Sequence, residues 1–259
     1  MRAAAIVIAC MCSISLAGQQ PLQTAAPPPI AFEEASIRPS TSSETVTLLR
    51  QNRGGRFIAE NITVANLIQQ AYGVFRFQIV EGPSWIDRDR FDVQAVAPGT
   101  DFPQQGALLR QLLADRFAFR ARREMREQDV YALVIARADG RLGPNLRPFT
   151  GECVRPPAPN PNCSMRNGPN FTDATGFPIS IIASQAAGNV GRIVIDKTGL
   201  TGRYDFKYEW GNELTVGDKP DGRVSFMTAL QEQLGLKLET QRAPVDTIVI
   251  EQVERPTPN

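Results

Sequence analysis

A short amphipathic helix, a glycine or charged stop and then a strand pair recur four times along this chain, and that repetition constrains the fold most. The last copy is the sharpest. Ser225 opens a helix with Phe226, Met227, Ala229, Leu230 and Leu234 as its apolar positions, and Gly235 stops it. Strand-like Leu236–Gln241 and Val245–Val253 follow, on either side of Ala243-Pro244. In the first copy Thr63 stands where an N-cap belongs, ahead of Val64, Leu67, Ile68, Ala71 and Tyr72 at helical spacing, and Gly73 stops it. A second helix spans Gln104–Asp115, with strands Phe117–Arg123 and Val130–Ala136 joined by polar Glu124–Asp129. A third starts at Ser180 and stops at Gly188, with strands Arg192–Asp196 and Arg203–Trp210 after it. Phe75–Val80 and Arg90–Ala97 read as further strands. Such units predict an α+β fold: repeated helix–strand–strand units forming an antiparallel or mixed sheet with helices packed on one face.

The chain divides accordingly. Residues 1–17 read as a signal peptide, 18–29 as a Pro-rich disordered tether, 30–142 as a first α+β half and 177–259 as a second. Residues 143–176, rich in Pro, Asn and Gly, read as an excursion outside the core. Of 259 residues 42% are hydrophobic, enough for a real core, and a net charge of +1 gives no field that favours nucleic acid. Arginine far outnumbers lysine without any excess of charge, as codon bias in a GC-rich genome would produce.

Export follows from the N-terminus. Met1-Arg2 carries the charge, Ala3–Leu16 is apolar but too short to span a bilayer, and Ser15-Leu16-Ala17 fits a cleavage site. The expected location is periplasmic or extracellular. Cleavage removes Cys10 and Cys12 and leaves Cys153 and Cys163, an even count that favours a disulfide in an oxidising compartment. Their Pro-rich spacer is unlike that of a CxxC metal or redox pair.

Catalytic chemistry finds little support. With no histidine, Ser-His-Asp triads and His-ligated zinc are excluded. Lys197-Thr198-Gly199 matches one motif of penicillin-binding proteins and serine β-lactamases. Their Ser-x-x-Lys nucleophile is missing, because Val194, Tyr204, Val216 and Leu234 precede the four lysines by three. Asp87-Arg88-Asp89-Arg90-Phe91-Asp92 lacks the downstream Gly and Glu of a calcium loop and reads as a self-paired turn. No pattern for a metal or cofactor is present, and none is expected. Aromatics and arginines alternate through Arg116–Arg123 as in a strand with Phe117, Phe119 and Ala121 inward, not as in a nucleic-acid platform.

The segment Asp196, Lys197, Thr198, Gly199, Leu200, Thr201, Gly202, Arg203, Tyr204, Asp205 and Phe206 is the candidate for a structural turn or binding loop. Its glycines permit positive φ, and Asp196 is placed to accept turn amides. Together with Gly82-Pro83-Ser84-Trp85-Ile86, Leu112–Phe117 and Ala229–Glu239, it resembles the soil-associated family of acidobacterial exported proteins, a family of unknown function. The resemblance runs from Phe32 to Pro256 and implies an exported bacterial protein without implying an activity. The expected role is a non-enzymatic exported module that binds a protein, peptide or envelope component through an open sheet edge or the 143–176 excursion. The alternative is an extracytoplasmic hydrolase working through two carboxylates, with Asp205, Glu209 and Glu213 as candidates.

Overall fold

The computed structural model describes residues 31–42, 46–52, 55–97, 105–153, 163–211 and 224–256. Residues 1–29, expected to be a signal peptide and tether, and Glu213 lie outside them. The fold is α+β, built on three mostly antiparallel four-stranded sheets.

In chain order the first half holds β1 (Glu34–Pro39), β2 (Leu48–Asn52), β3 (Arg56–Thr63), α1 (Val64–Tyr72), β4 (Ile79–Val80), α2 (Trp85–Arg88), β5 (Arg90–Val96), α3 (Gln105–Phe117) and β6 (Arg120–Ile135). The second holds β7 (Leu146–Pro148), β8 (Ser164–Gly168), β9 (Phe171–Phe177), α4 (Ser180–Val190), β10 (Val194–Asp196), β11 (Tyr204–Glu209), α5 (Phe226–Ala229, continued by a π turn to Leu234) and β12 (Leu236–Gln252).

These two lists describe one unit twice. Sheet order β1-β5-β3-β2 in the first half becomes β7-β11-β9-β8 in the second, element for element. The remaining sheet, β10-β6-β12-β4, maps onto itself when β6 exchanges with β12 and β4 with β10. Its central pair is antiparallel, and each outer strand runs parallel to its neighbour. Each half thus ends in a long strand that pairs with the long strand of the other. The recurrence is twofold, of a larger unit than the sequence pattern implies; among the described elements, α2 and the 3-10 turn at Arg76–Gln78 have no counterpart.

Packing repeats as well. α3 buries Leu109, Leu112, Leu113 and Phe117, while the α5 turn buries Phe226, Ala229, Leu230 and Leu234 at the same spacing. The first set packs with α1, the inner face of the first sheet and Ile248 and Ile250 of β12. The second packs with α4, the third sheet and Leu133 of β6. One core therefore sits at each end of the β6–β12 ribbon, and each is completed by a strand from the other half.

Several sequence expectations are corrected. β6 and β12 are continuous strands, not pairs broken at Glu124–Asp129 and Ala243-Pro244. The 143–176 segment contributes β7, β8 and β9, with Leu146 and Ala174 in the core, because its short strands gain burial only from a sheet that later residues supply. α4 runs past Gly188 to a left-handed stop at Gly191, and Ser180 lies inside it rather than capping it. Phe75–Val80 is a 3-10 turn over Arg76–Gln78 followed by a two-residue strand, and Phe117 ends α3 instead of starting a strand. Thr63 does cap α1, its hydroxyl accepting the Asn66 N–H at 3.2 Å, and Gly73 closes that helix at φ 65°.

A doubled bulge ties each half together. Pairing slips between Ala59 and Ile62 against β5, and between Ala174 and Phe177 against β11. The extra residue has positive φ in both: Asn61 at 59° and Gly176 at 75°. The Asn61 N–H donates to Asp92 Oδ1 at 2.8 Å, and Arg90 Nη1 donates to the Asn61 carbonyl at 3.0 Å. The Gly176 N–H donates to Asp205 Oδ1 at 2.9 Å, and Arg203 Nη1 donates to the Gly176 carbonyl at 2.6 Å. Arg90-Phe91-Asp92 and Arg203-Tyr204-Asp205 are therefore the same device. Strand alternation buries the aromatic and sends Arg and Asp to the other face, where they satisfy both polar groups of the bulged residue. The Asp87–Asp92 segment is accordingly not self-paired: Asp87 bonds Arg76, Asp89 bonds Arg255, and Arg90 and Asp92 hold the bulge.

Cys153 and Cys163 form the disulfide, with Cα atoms 5.2 Å apart. It lies over the second bulge, where a Cβ on Gly176 would stand 2.3 Å from Cys163 Sγ.

Candidate functional site

The Asp196–Asp205 segment spends its polar groups internally. Asp196 ends β10, and its Oδ1 accepts from the Thr198 N–H at 3.0 Å and the Thr198 hydroxyl at 2.8 Å. That hydroxyl accepts the Leu200 N–H at 3.1 Å, so two side-chain turns follow one another. Gly199 and Gly202 have φ of 70° and 90°. Leu200 packs against the second core and Tyr204 lies inside it, while Arg203 and Asp205 are committed to the bulge. Lys197 Nζ donates to Gln241 Oε1 at 2.9 Å on the exposed ribbon. Open space surrounds both glycines, so valine there meets backbone strain alone. We expect Gly199→Val and Gly202→Val to cost about 1–3 kcal/mol each. Lys197→Ala should leave the melting temperature nearly unchanged, which thermal melts of the three variants will read.

Of the carboxylates named from sequence, the two among the described residues are each engaged separately. Asp205 accepts the Gly176 N–H, and Glu209 pairs with Lys207 at 3.1 Å along the same strand. A hollow of about 260 Å³ beside β9 and β11 includes Asp173 and Asp205, but Asp173 is held by Arg166 at 2.7 Å. Among the described residues no group of three His, Cys, Asp or Glu is placed to hold a metal, and no helix is long and apolar enough to cross a membrane.

A different place carries an open sheet edge. β2 is an outer strand of the first sheet, so one row of its backbone N–H and C=O groups is unmatched by any described strand. Apolar side chains mark this edge: Val46, Leu48 and Leu49 are 61%, 45% and 37% exposed. Leu49 stands opposite Ala59, so it lies on the core-facing side of the sheet, beyond the reach of the core itself. A groove of about 330 Å³ opens there between β2 and α1, lined by Thr47, Leu49, Ile62, Asn66, Gln69 and Gln70. None of these residues carries charge. Sequence reasoning missed it because only the strand order places β2 at an edge beside α1.

The second half shows the same place closed. There β8 is the outer strand, Met165 stands opposite Ala174 as Leu49 does opposite Ala59, and α4 takes the position of α1. Gln185 of α4 reaches across, its Nε2 donating to Asn167 Oδ1 on β8 at 3.1 Å. Its Oε1 accepts from the Tyr208 hydroxyl at 2.9 Å and from Thr172 Oγ1 at 3.2 Å. In the first half the matching positions are Phe57 for Thr172 and Ala95 for Tyr208, which offer no side-chain hydrogen bonds.

Burial pushes the Tyr208 phenol from its ordinary 10.0 up to about 12. Because the folded value is raised, the associated stability is fully present below pH 10 and is lost as pH rises from 10 toward 12. We expect roughly 2–3 kcal/mol of alkaline loss from this group. Denaturant unfolding across that range will show it as a shallower decline in Tyr208→Phe than in the unaltered protein.

Neither the curated proteins nor the solved structures contain a significant match to this chain. One family profile does match it, over residues 65–253, and so covers α1 to β12 in both halves. The chain belongs to the family described as a protein of unknown function, DUF3738.

Proposed function

We propose that this protein is an exported, non-enzymatic binding module that holds a protein, peptide or envelope component through the free edge of its first sheet. The observation that carries this reading is the exposed apolar edge at Val46, Leu48 and Leu49 beside an uncharged groove. An edge of this kind attracts extended chain, and exposed apolar side chains along it are better matched by a partner than by water, with Arg50 on the opposite face of the strand from Leu49. Export is supported by the charged and apolar start of the sequence and by the Cys153–Cys163 disulfide. The carboxylates named for a hydrolase are each engaged elsewhere or lie outside the described residues, so binding is the better reading.

The test has two arms. N-terminal sequencing of protein recovered from the native host should begin near Gly18; soluble material that retains Met1 would remove export from the proposal. The envelope fraction should then yield a protein retained on the unaltered chain and absent from Leu48→Lys. Equal retention by both would refute use of this edge.

A further inference from the structure

We infer that the first-half groove receives an extended, uncharged peptide as a fifth strand beside β2, and that the second half is the same site filled by its own Gln185. This rests on the binding reading above and names the ligand's chemistry. Three observations carry it.

The outward groups of β2 are backbone donors and acceptors in a row, and only another extended backbone matches such a row along its length. The groove beside that row is lined by Leu49, Ile62 and the neutral polar groups of Thr47, Asn66, Gln69 and Gln70. A carboxylate or ammonium group entering it would lose hydration without meeting a countercharge. Alternate side chains of an added strand face the groove, so the ligand should carry small apolar or neutral polar residues at every second position.

The third observation is the contrast between the halves. The two grooves occupy matching positions between an outer strand and a helix, and the duplicated fold makes each a control for the other. In the second half Gln185 bonds Asn167, Thr172 and Tyr208, which ties α4 to β8 and fills the space between them with its own side chain. In the first half Gln70 is exposed, and the two residues that donate to the Gln185 oxygen, Thr172 and Tyr208, are replaced by Phe57 and Ala95. What the second half supplies from its own chain, the first half leaves for another chain to supply.

The probe is a random heptapeptide library displayed on phage and selected against the oxidised, full-length protein. Selected peptides should alternate apolar with uncharged residues. Their affinity should fall at least tenfold in Leu49→Lys and in Gln70→Glu, and stay unchanged in Met165→Lys. Leu49 and Met165 are equally exposed at 37%, so both lysine variants should melt like the unaltered protein, and Gln70→Glu keeps the test open if one does not. The best peptide is then made with N-methyl groups on odd or on even residues. Strand addition requires one set to abolish binding and the other to leave it within about threefold.

Retention of affinity in Leu49→Lys and Gln70→Glu, or equal tolerance of both N-methyl sets, would overturn strand addition at β2. Loss in Met165→Lys alone would move the site to the second half, ending this inference while leaving the binding module intact. Failure to select any peptide would count against both.

Discussion

Gly235→Ala should cost about 3 kcal/mol or more, while Ala118→Gly should raise stability by about 0.5–1 kcal/mol. The two positions match in the duplicated fold. Each follows the helix that leads into a long strand, and each has positive φ, 70° at Gly235 and 46° at Ala118. Alanine in the left-handed region costs about 1–2 kcal/mol, part of which glycine recovers against its freer unfolded chain. That difference explains the expected gain at Ala118.

Gly235 carries a second constraint. A Cβ there would stand 2.4 Å from the Gly143 nitrogen and 2.8 Å from the Leu142 carbonyl carbon, and both are backbone atoms that cannot swing aside. The crossing chain is held in place, because the Gly143 N–H donates to the Leu234 carbonyl at 2.9 Å and the Asn145 N–H to the Gln233 carbonyl at 2.9 Å. Urea denaturation of the two variants will read the contrast. If Gly235→Ala costs no more than the strain alone, the close approach of the two chains is not a fixed part of the fold.

The longer helices were legible in the sequence because each carries its burial in its own spacing, whereas the one-turn α2 was not. Val64, Leu67, Ile68 and Ala71 are buried at the intervals that a one-sided helix requires. The long strands were not. Through Glu124–Asp129 the ribbon is two strands wide, and along β6 exposed or half-buried residues follow one another without an apolar face. Backbone pairing is the main tie of such a stretch, and backbone pairing leaves no mark on composition. Pro244 suggested a break, yet it pairs with Glu127 at a point where β12 has a neighbour on one side only, since β4 meets it at Ile248 and Val249. The missing N–H has no partner there to lose.

The candidate groove was illegible for a related reason. Thr47, Leu49 and Gln70 share no motif, and they meet only because β2 is the outer strand beside α1. One signal was within reach. Arg90-Phe91-Asp92 and Arg203-Tyr204-Asp205 are an internal repeat, and each stands at the start of a strand that alternates inward aromatic or aliphatic residues. Reading them as equivalent would have aligned the two halves and placed the 143–176 segment in the fold.

That repeat leads to the second large effect. Asp92→Ala and Asp205→Ala should each cost about 1–3 kcal/mol, because each leaves the N–H of a bulged residue without its acceptor inside a sheet. Asn61 and Gly176 both have positive φ, so neither can slip back into regular pairing to find another partner. The two devices lie in different halves and share no residue, so the double variant should show the sum, about 2–6 kcal/mol. The second bulge has the Cys153–Cys163 disulfide above it and the first has none, which gives a finer expectation. Under oxidising conditions Asp205→Ala should be the milder of the two, and reduction should remove the difference. Denaturant midpoints of the two single variants and the double, each with and without reductant, measure all three quantities. A neutral Asp92→Ala beside a costly Asp205→Ala would show that the first bulge is held by its strands alone and that the duplication has preserved the geometry without its energetic role.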